Sequence, residues 1–230
     1  MKKRNIFFAL CMAFVIYCAS SSGVRNYIKD LITFSISFVS NPSKVGAIAP
    51  SSPFLGQEII KYIKNVKSPI RILEVGAGTG AFTEQIINEL KEEDHLDAVE
   101  LDCDFCNILT GKFGNHKNVY IHCASILEWK TQEPYDFIIS GLPFNAFDAD
   151  FVQSILKKYE KLIKPDGMIS YFEYIALADI KKFFLQDKEK AEFSKTLTTT
   201  ESFRGKFEFE TSKVWFNIPP AYVHHLKIEK

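Results

Sequence analysis

The sequence predicts an α/β domain built on a mostly parallel sheet that ends in an antiparallel hairpin. Three observations predict it. From Ile70 onward, short and nearly all-apolar runs alternate with amphipathic ones, the pattern of parallel strands covered by helices on both faces. The first apolar run breaks into a glycine-rich turn, "GAGTG" (Gly76–Gly80), that opens the next helix. The tail departs from the alternation, because "SKVWFNI", "PPA" and "YVHHLKI" read as two strands joined by a tight turn.

Each element follows from its local pattern. "IRILEV" is a buried strand and "AFTEQIINELKEE" an amphipathic helix. "LDAVEL" and "CDFCNILTGKF" repeat the strand–helix pair, and "VYIHC" and "YDFIIS" are further strands. A helix runs from about Ala149 to Ile163, where "KPDG" (Lys164–Gly167) stops it with Pro165 and Gly167. "MISYFEY" is a fifth strand and "LADIKKFFL" a further helix. Residues 187–211 are polar and weakly patterned and read as helix plus loop.

The chain has 230 residues, enough for one mid-sized domain. Its 28 basic and 28 acidic residues cancel, whereas a protein that grips a long phosphate backbone carries a basic excess. No nucleic-acid partner is expected on that ground. The 21 Phe and 9 Tyr suit a core, a membrane-facing surface, or both. Five cysteines without regular spacing make no disulfide framework. The lone pair Cys103 and Cys106 reads as two small residues on one helical turn, and no metal is expected.

The first 39 residues are a separate problem. "MKKR" precedes an apolar run, Ile6–Ala19, that is short for a bilayer core. A marginal span, a secretory signal peptide and an interfacial segment all match it. In the next stretch Val24, Tyr27, Ile28, Leu31, Phe34 and Phe38 fall near one helical face. That face suits the domain's own core or a membrane surface, while Thr33–Phe38 also alternates like a strand. The expected division is a membrane-associated segment over 1–39 and a catalytic domain over 40–230.

The chemistry concentrates in "LEVGAGTGAF" (Leu73–Phe82). Glycines admit positive φ and let a ligand approach the main chain, and the following helix offers unpaired N–H groups. The spacing is G-x-G-x-G, whereas a dinucleotide fingerprint is G-x-G-x-x-G. Glu74, two residues before Gly76, is placed to reach a ligand ammonium, which NAD lacks. Glu100 closes the second strand about twenty residues on, where an acid accepts ribose hydroxyls. Gly76, Gly78, Gly80, Glu74, Glu100 and its neighbour Leu101 therefore form an expected S-adenosyl-L-methionine site.

At these residues the chain resembles class I S-adenosylmethionine-dependent methyltransferases, over about residues 42–228. The resemblance implies a seven-stranded Rossmann-like sheet whose last hairpin supplies an antiparallel strand. "SGLPFNAF" (Ser140–Phe147) resembles a motif of ribosomal RNA adenine dimethylases. There an Asn holds the target amine and an aromatic stacks on adenine; here Ser140 stands at the Asn position. "NPSKVGAIAPSS", "SGLPF" and "VWFNIPPAYV" together resemble bacterial phospholipid N-methyltransferases. This second resemblance implies methylation of a phospholipid headgroup amine, phosphatidylethanolamine, by an enzyme at the cytosolic face of an anionic membrane. The rivals are an RNA adenine N6-methyltransferase without its helical domain, and a cofactor-binding module without turnover.

The resemblance also implies roles. Ser51 and Ser52 lie near the methionine end of the cofactor. Related enzymes place an acid after the third strand to meet the adenine amino group. Here Cys123 or Ser125 takes that slot, leaving Ser125, Ile126 and backbone to bind adenine. The carbonyls of Ser140 and Leu142 and the face of Phe144 orient the acceptor amine. Tyr171, with Glu173 and Tyr174, is a candidate for headgroup binding or proton relay, against a reading of ordinary strand alternation. His224 and His225 are expected to be structural.

Overall fold

The computed structural model describes residues 51–64, 66, 67, 69–175, 187–217 and 219–229. Residues 1–39 and the helix expected at "LADIKKFFL" lie outside the described residues. Helix α1 (Pro53–Ile59) precedes β1 (Arg71–Val75), α2 (Ala81–Ile87), β2 (His95–Glu100), α3 (Cys103–Phe113), β3 (Val119–Cys123) and β4 (Tyr135–Ser140). A 3-10 turn (Phe144–Ala146), α4 (Ala149–Leu162), β5 (Ile163–Tyr174), α5 (Asp187–Phe207), β6 (Glu208–Val214) and β7 (Ala221–Lys227) follow.

The strands form one seven-stranded sheet in the order β3-β2-β1-β4-β5-β7-β6. Strands β1 to β5 run parallel, and β7 is antiparallel to both β5 and β6. Successive strands step outward from β1 on one side and from β4 on the other. The crevice where ligands enter a sheet of this kind therefore opens above the C-terminal ends of β1 and β4. One core cluster, with Leu55, Ile59, Ile72, Phe82, Phe137 and Phe172, covers one face. A second, with Leu73, Val99, Tyr135, Phe144, Tyr159 and Tyr171, covers the other.

The local chemistry explains most boundaries. Asp102 caps α3 by accepting from Asp104 N and Phe105 N, and Asp148 caps α4 by accepting from Phe151 N. Helix α2 stops at Ile87, shorter than its sequence pattern predicts. Glu92 and Glu93 would place negative charge at the negative end of the helix dipole. Asp94 instead accepts from Lys91 N and Ile70 N and turns the chain into β2. Helix α5 runs unbroken through the stretch expected to contain a loop. Phe193, Thr196, Thr200 and Phe203 make one buried face. Thr198 and Thr199 donate to the carbonyls of Ser194 and Lys195 one turn back, so their hydroxyls are satisfied within the helix.

The hairpin is displaced from its expected position. Strand β6 ends at Val214, so Trp215, Phe216 and Asn217 belong to the turn rather than the strand. Pairing of Tyr174 with Ala221 sets that register. Cys106 and Cys123 form a disulfide that joins α3 to the end of β3, against the expectation from cysteine spacing, while Cys103 is free and exposed. Spacing could not show this contact, because it arises from packing of α3 beside β3.

One buried carboxylate ties four strands together. Asp97 in β2 accepts from Arg71 of β1 (3.3 Å) and from Tyr135 Oη of β4 (2.8 Å). It also meets His95 of its own strand (2.9 Å) and His122 of β3 (2.7 Å). Trp129 Nε1 donates to Tyr135 Oη in turn. Burial pushes the Asp97 pKa up, but the bonds from His122 and Tyr135 and the charge of His95 carry it below 3.8. Its stabilisation is thus fully present above the unfolded pKa of about 3.8 and is lost as pH falls through the lower folded value. Replacing Asp97 by Ala should cost roughly 2–4 kcal/mol by stranding its donors. That loss lowers Tm by roughly 5–15 °C in calorimetry at pH 7, with a smaller difference from the native chain near pH 2.

Candidate active site

The turn after β1 supplies the site's frame. Gly76, Gly78 and Gly80 have φ of 70, 55 and 94°, a region that side chains with a Cβ enter at a cost. Gly76 N donates to Val99 O of β2, and Gly80 N to Ala77 O. A Cβ added at Gly78 would meet nothing within 4 Å, so open space lies directly above that residue. On the other side, Gly141 N donates to Val75 O at 2.7 Å. A Cβ there would lie 2.4 Å from Gly76 O, so only glycine permits the exits of β1 and β4 to approach this closely.

Glu100 fastens the turn. Its Oε2 accepts from Gly78 N at 2.7 Å, and its Oε1 accepts from Leu101 N (2.8 Å) and Asp102 N (2.9 Å). Its backbone carbonyl accepts from Ala124 N, which brings the chain after β3 to the same rim. Leu101 is 71% exposed beside it. Ser125 uses its hydroxyl to accept from Leu127 N, and Ile126 is buried in the core cluster beneath.

Glu74 is different. It is fully buried, and neither carboxylate oxygen has a hydrogen-bond partner among the described residues. Burial pushes its pKa up to about 8, and the charge of Glu100 adds to the rise. The hydroxyl of Thr83, at the start of α2, is also buried without a partner. A buried acid beside an open, backbone-lined cradle suits a ligand that brings positive charge and hydroxyl groups. These residues therefore fit S-adenosylmethionine.

The four residues expected at the acceptor side are placed unequally. Leu142 is half-buried, and its side chain approaches Gly76. Ser140 is fully buried, and its hydroxyl accepts from Tyr159 Oη (2.9 Å) and from Leu142 N (3.3 Å). Phe144 is fully buried rather than presenting a stacking face, with its ring centroid 4.7 Å from that of Tyr171. The 3-10 turn folds the ring down into the core instead of leaving it at the rim. Tyr171 is likewise buried, its hydroxyl has no partner among the described residues, and burial raises its pKa well above 10.

Glu173 points away from the crevice toward Arg204 (3.4 Å). Arg204 Nη1 also donates to His224 Nε2 (3.1 Å), so that nitrogen carries no proton. His224 Nδ1 faces Glu208 at 3.2 Å, and burial, Arg204 and His225 push its pKa down to about 3. His224 and His225 are both buried within the sheet.

Two connections escaped sequence reasoning. Asn145 Nδ2 donates to Tyr174 O and fastens the turn after β4 to the end of β5. Asn217 Oδ1 accepts from Ser52 N across 165 residues. Ser52 caps α1 by accepting from Leu55 N, so its hydroxyl serves the helix, and Ser51 precedes it at the same end. Both stand within quoted motifs, Asn145 in "SGLPFNAF" and Asn217 in "VWFNIPPAYV", but neither motif shows the distant partner.

A glycine turn at the β1–β4 crevice, an acid closing β2 and a seven-stranded sheet ending in an antiparallel pair define a class I S-adenosylmethionine-dependent methyltransferase. The profile of the family "Ribosomal RNA adenine dimethylase" matches residues 51–168, and the chain belongs to that family. Among curated relatives, it is 27% identical over 145 residues to the ornithine lipid N-methyltransferase of Singulisphaera acidiphila, covering 60% of this chain and 75% of that one. It is 29% identical over 150 residues to the malonyl-[acyl-carrier protein] O-methyltransferase of Bacillus cereus, covering 64% of this chain and 54% of that one. The chain thus spans only about half the length of the second relative. Among solved structures, the N-methyltransferase NodS of Bradyrhizobium japonicum in complex with S-adenosyl-L-homocysteine shares the fold. Its TM-score is 0.59 at 12% identity, over 85% of this chain and 97% of that one.

Glu74 generates a pH-dependent prediction. A folded pKa near 8 against an unfolded 4.5 means that the folded state holds the extra proton between them. Stability without ligand is fully present below about 4.5 and is lost as pH rises through about 8. Glu74→Gln should remove this decline, so that the variant exceeds the native chain by a few kcal/mol above pH 8 in urea unfolding. Parallel pH profiles for the two proteins would contradict the burial of an acid here.

Proposed function

We propose that this methyltransferase acts on the primary amine of a lipid headgroup, with phosphatidylethanolamine as the expected acceptor, at the cytosolic face of an anionic membrane. The observation that carries the reading is Ser140. In the resemblance to adenine dimethylases an Asn amide stands there to hold the base amino group. Here the hydroxyl is buried and bonded to Tyr159 and Leu142 N. What remains is backbone, which suits an alkyl ammonium better than a planar base edge. The similarity to an ornithine lipid N-methyltransferase supports a lipid acceptor.

In this reading Gly76, Gly78 and Gly80 line the cofactor, with Glu100 and Leu101 at its ribose, and Ser125 and Ile126 at its adenine. Glu74, Ser51 and Ser52 attend its methionine end. The carbonyls of Ser140 and Leu142 orient the amine, and Phe144 and Tyr171 support them from within the core. When bound, S-adenosylmethionine would supply a sulfonium-bound methyl to the nitrogen lone pair by in-line displacement, the C–S bond breaking as the C–N bond forms and S-adenosylhomocysteine leaving. An alkyl amine has a pKa of about 10 and must first lose a proton. The half-buried rim near Leu142 lowers that pKa by desolvation, and holding nitrogen in line supplies most of the remaining rate.

Membership in the adenine dimethylase family favours RNA as the second reading. The formal net charge of zero speaks against it. Incubating the full chain with methyl-labelled cofactor and either total lipid or total RNA separates the two. Label in N-methylated phosphatidylethanolamine is the expected result. Label in RNA adenine instead, or in neither pool, overturns the lipid reading.

Gly78→Val tests the cradle. The side chain would fill the open space above the turn and adds about 1–2 kcal/mol of backbone strain. Calorimetry should show no cofactor binding while the fold persists. Glu100→Ala is a less direct probe, because it also frees the backbone donors of Gly78, Leu101 and Asp102.

A further inference from the structure

The turn between β6 and β7 carries two aromatic rings that the fold leaves outside. Trp215 is 62% exposed and Phe216 is 77% exposed, although Val214 and Asn217 on either side are buried. Phe54, in the first turn of α1, is 57% exposed and its ring centroid lies 5.4 Å from that of Phe216. Lys213 Nζ stands 6.0 Å from the centre of the Trp215 ring.

The rings are held in place firmly. Asn217 accepts from Ser52 N and donates to Pro219 O, and Ile175 N donates to Pro220 O. Because Tyr174 pairs with Ala221, this turn lies at the C-terminal edge of β5. That is the edge bearing the Gly76–Gly80 turn and the Ser140–Phe147 segment. Residues 1–50, with their apolar run Ile6–Ala19, join the described chain at Ser51, next to the bond between Ser52 and Asn217.

We propose that Phe54, Trp215 and Phe216 form a membrane contact that sets this rim of the domain into the headgroup–acyl boundary of an anionic bilayer. The proposal rests on the lipid reading of the active site and names the surface from which that site draws its acceptor. Trp and Phe with a neighbouring Lys have the chemistry of that boundary, where rings bury apolar area and a cation meets anionic headgroups. A lipid amine must reach the β1–β4 crevice without leaving the bilayer, so the contact belongs on the rim that holds the crevice.

Brominated acyl chains, which quench tryptophan only at that depth, test the contact in the full chain. The vesicles contain phosphatidylglycerol and phosphatidylethanolamine. The wild type should be quenched, and W215F should not, because Trp129 is occupied within the domain by Tyr135 and His122. W215S/F216S should lower vesicle partitioning at least about tenfold, since it removes the two most exposed Phe, Tyr or Trp rings among the described residues. Its methylation of the same lipid dispersed in detergent micelles should keep the wild-type rate. An unquenched wild type, or quenching that survives in W215F, overturns the proposal. So does quenching that appears only after deletion of residues 1–39, which would make that segment the occupant. A dimer in light scattering that F216S abolishes would assign the patch to a second copy and overturn it too. Quenching without lipid methylation supports the contact and removes the lipid reading of the active site. Micellar methylation without quenching does the reverse.

Discussion

The carboxylate of Glu100 is the constraint on which the site depends. Three backbone N–H groups converge on it, from Gly78, Leu101 and Asp102. One bond crosses from β2 to the glycine turn after β1, so the two strand exits are fixed to each other rather than each to its own helix. A charged acceptor strengthens each bond relative to a neutral one. The cost of holding three glycines at positive φ is offset there. Open space lies above Gly78, the residue whose N–H this carboxylate holds. A side-chain anchor on one strand thus holds the turn that opens above the neighbouring strand.

The two sides of the crevice differ in how they are built. On the cofactor side, the glycine backbone of residues 76–80 forms the rim, and the carboxylates of Glu74 and Glu100 are buried beneath it. On the acceptor side, Ser140, Phe144 and Tyr171 are inside, and Tyr159 fills the space beneath Ser140. Under the proposed reading, an acceptor site built this way would recognise its partner through carbonyls and shape. Glu173, near the end of β5, is engaged elsewhere, facing Arg204 and His224 on the α5 side.

Much of this was legible from residue order. The spans 103–113, 119–123 and 135–140 follow from caps and apolar runs, and helix α3 and strands β3 and β4 emerge with those limits. The glycine turn and Glu100 were legible because their spacing is a backbone requirement. What was not legible depends on sidedness and on distant partners. "SKVWFNI" has strand-like residue types throughout, yet its pairing ends at Val214, since Asn217 is drawn off to Ser52. Phe144 reads as an accessible aromatic, and only the 3-10 turn shows that it points inward. The disulfide between Cys106 and Cys123 and the length of α5 likewise rest on packing between elements.

The hairpin shows how a stability device and a surface arise from the same residues. A turn with two prolines and a buried, doubly bonded Asn217 has little freedom. Within it, Trp215 and Phe216 occupy positions where neither sheet face is available, so rigidity forces them outward. A floppy loop would fold such rings against the core, because each carries a large apolar area. The Asn217 anchor joins these exposed rings to α1. The rim that carries the catalytic crevice thus also carries the domain's most exposed described aromatic pair, and one hydrogen bond from Ser52 fixes the geometry between the helix and the turn.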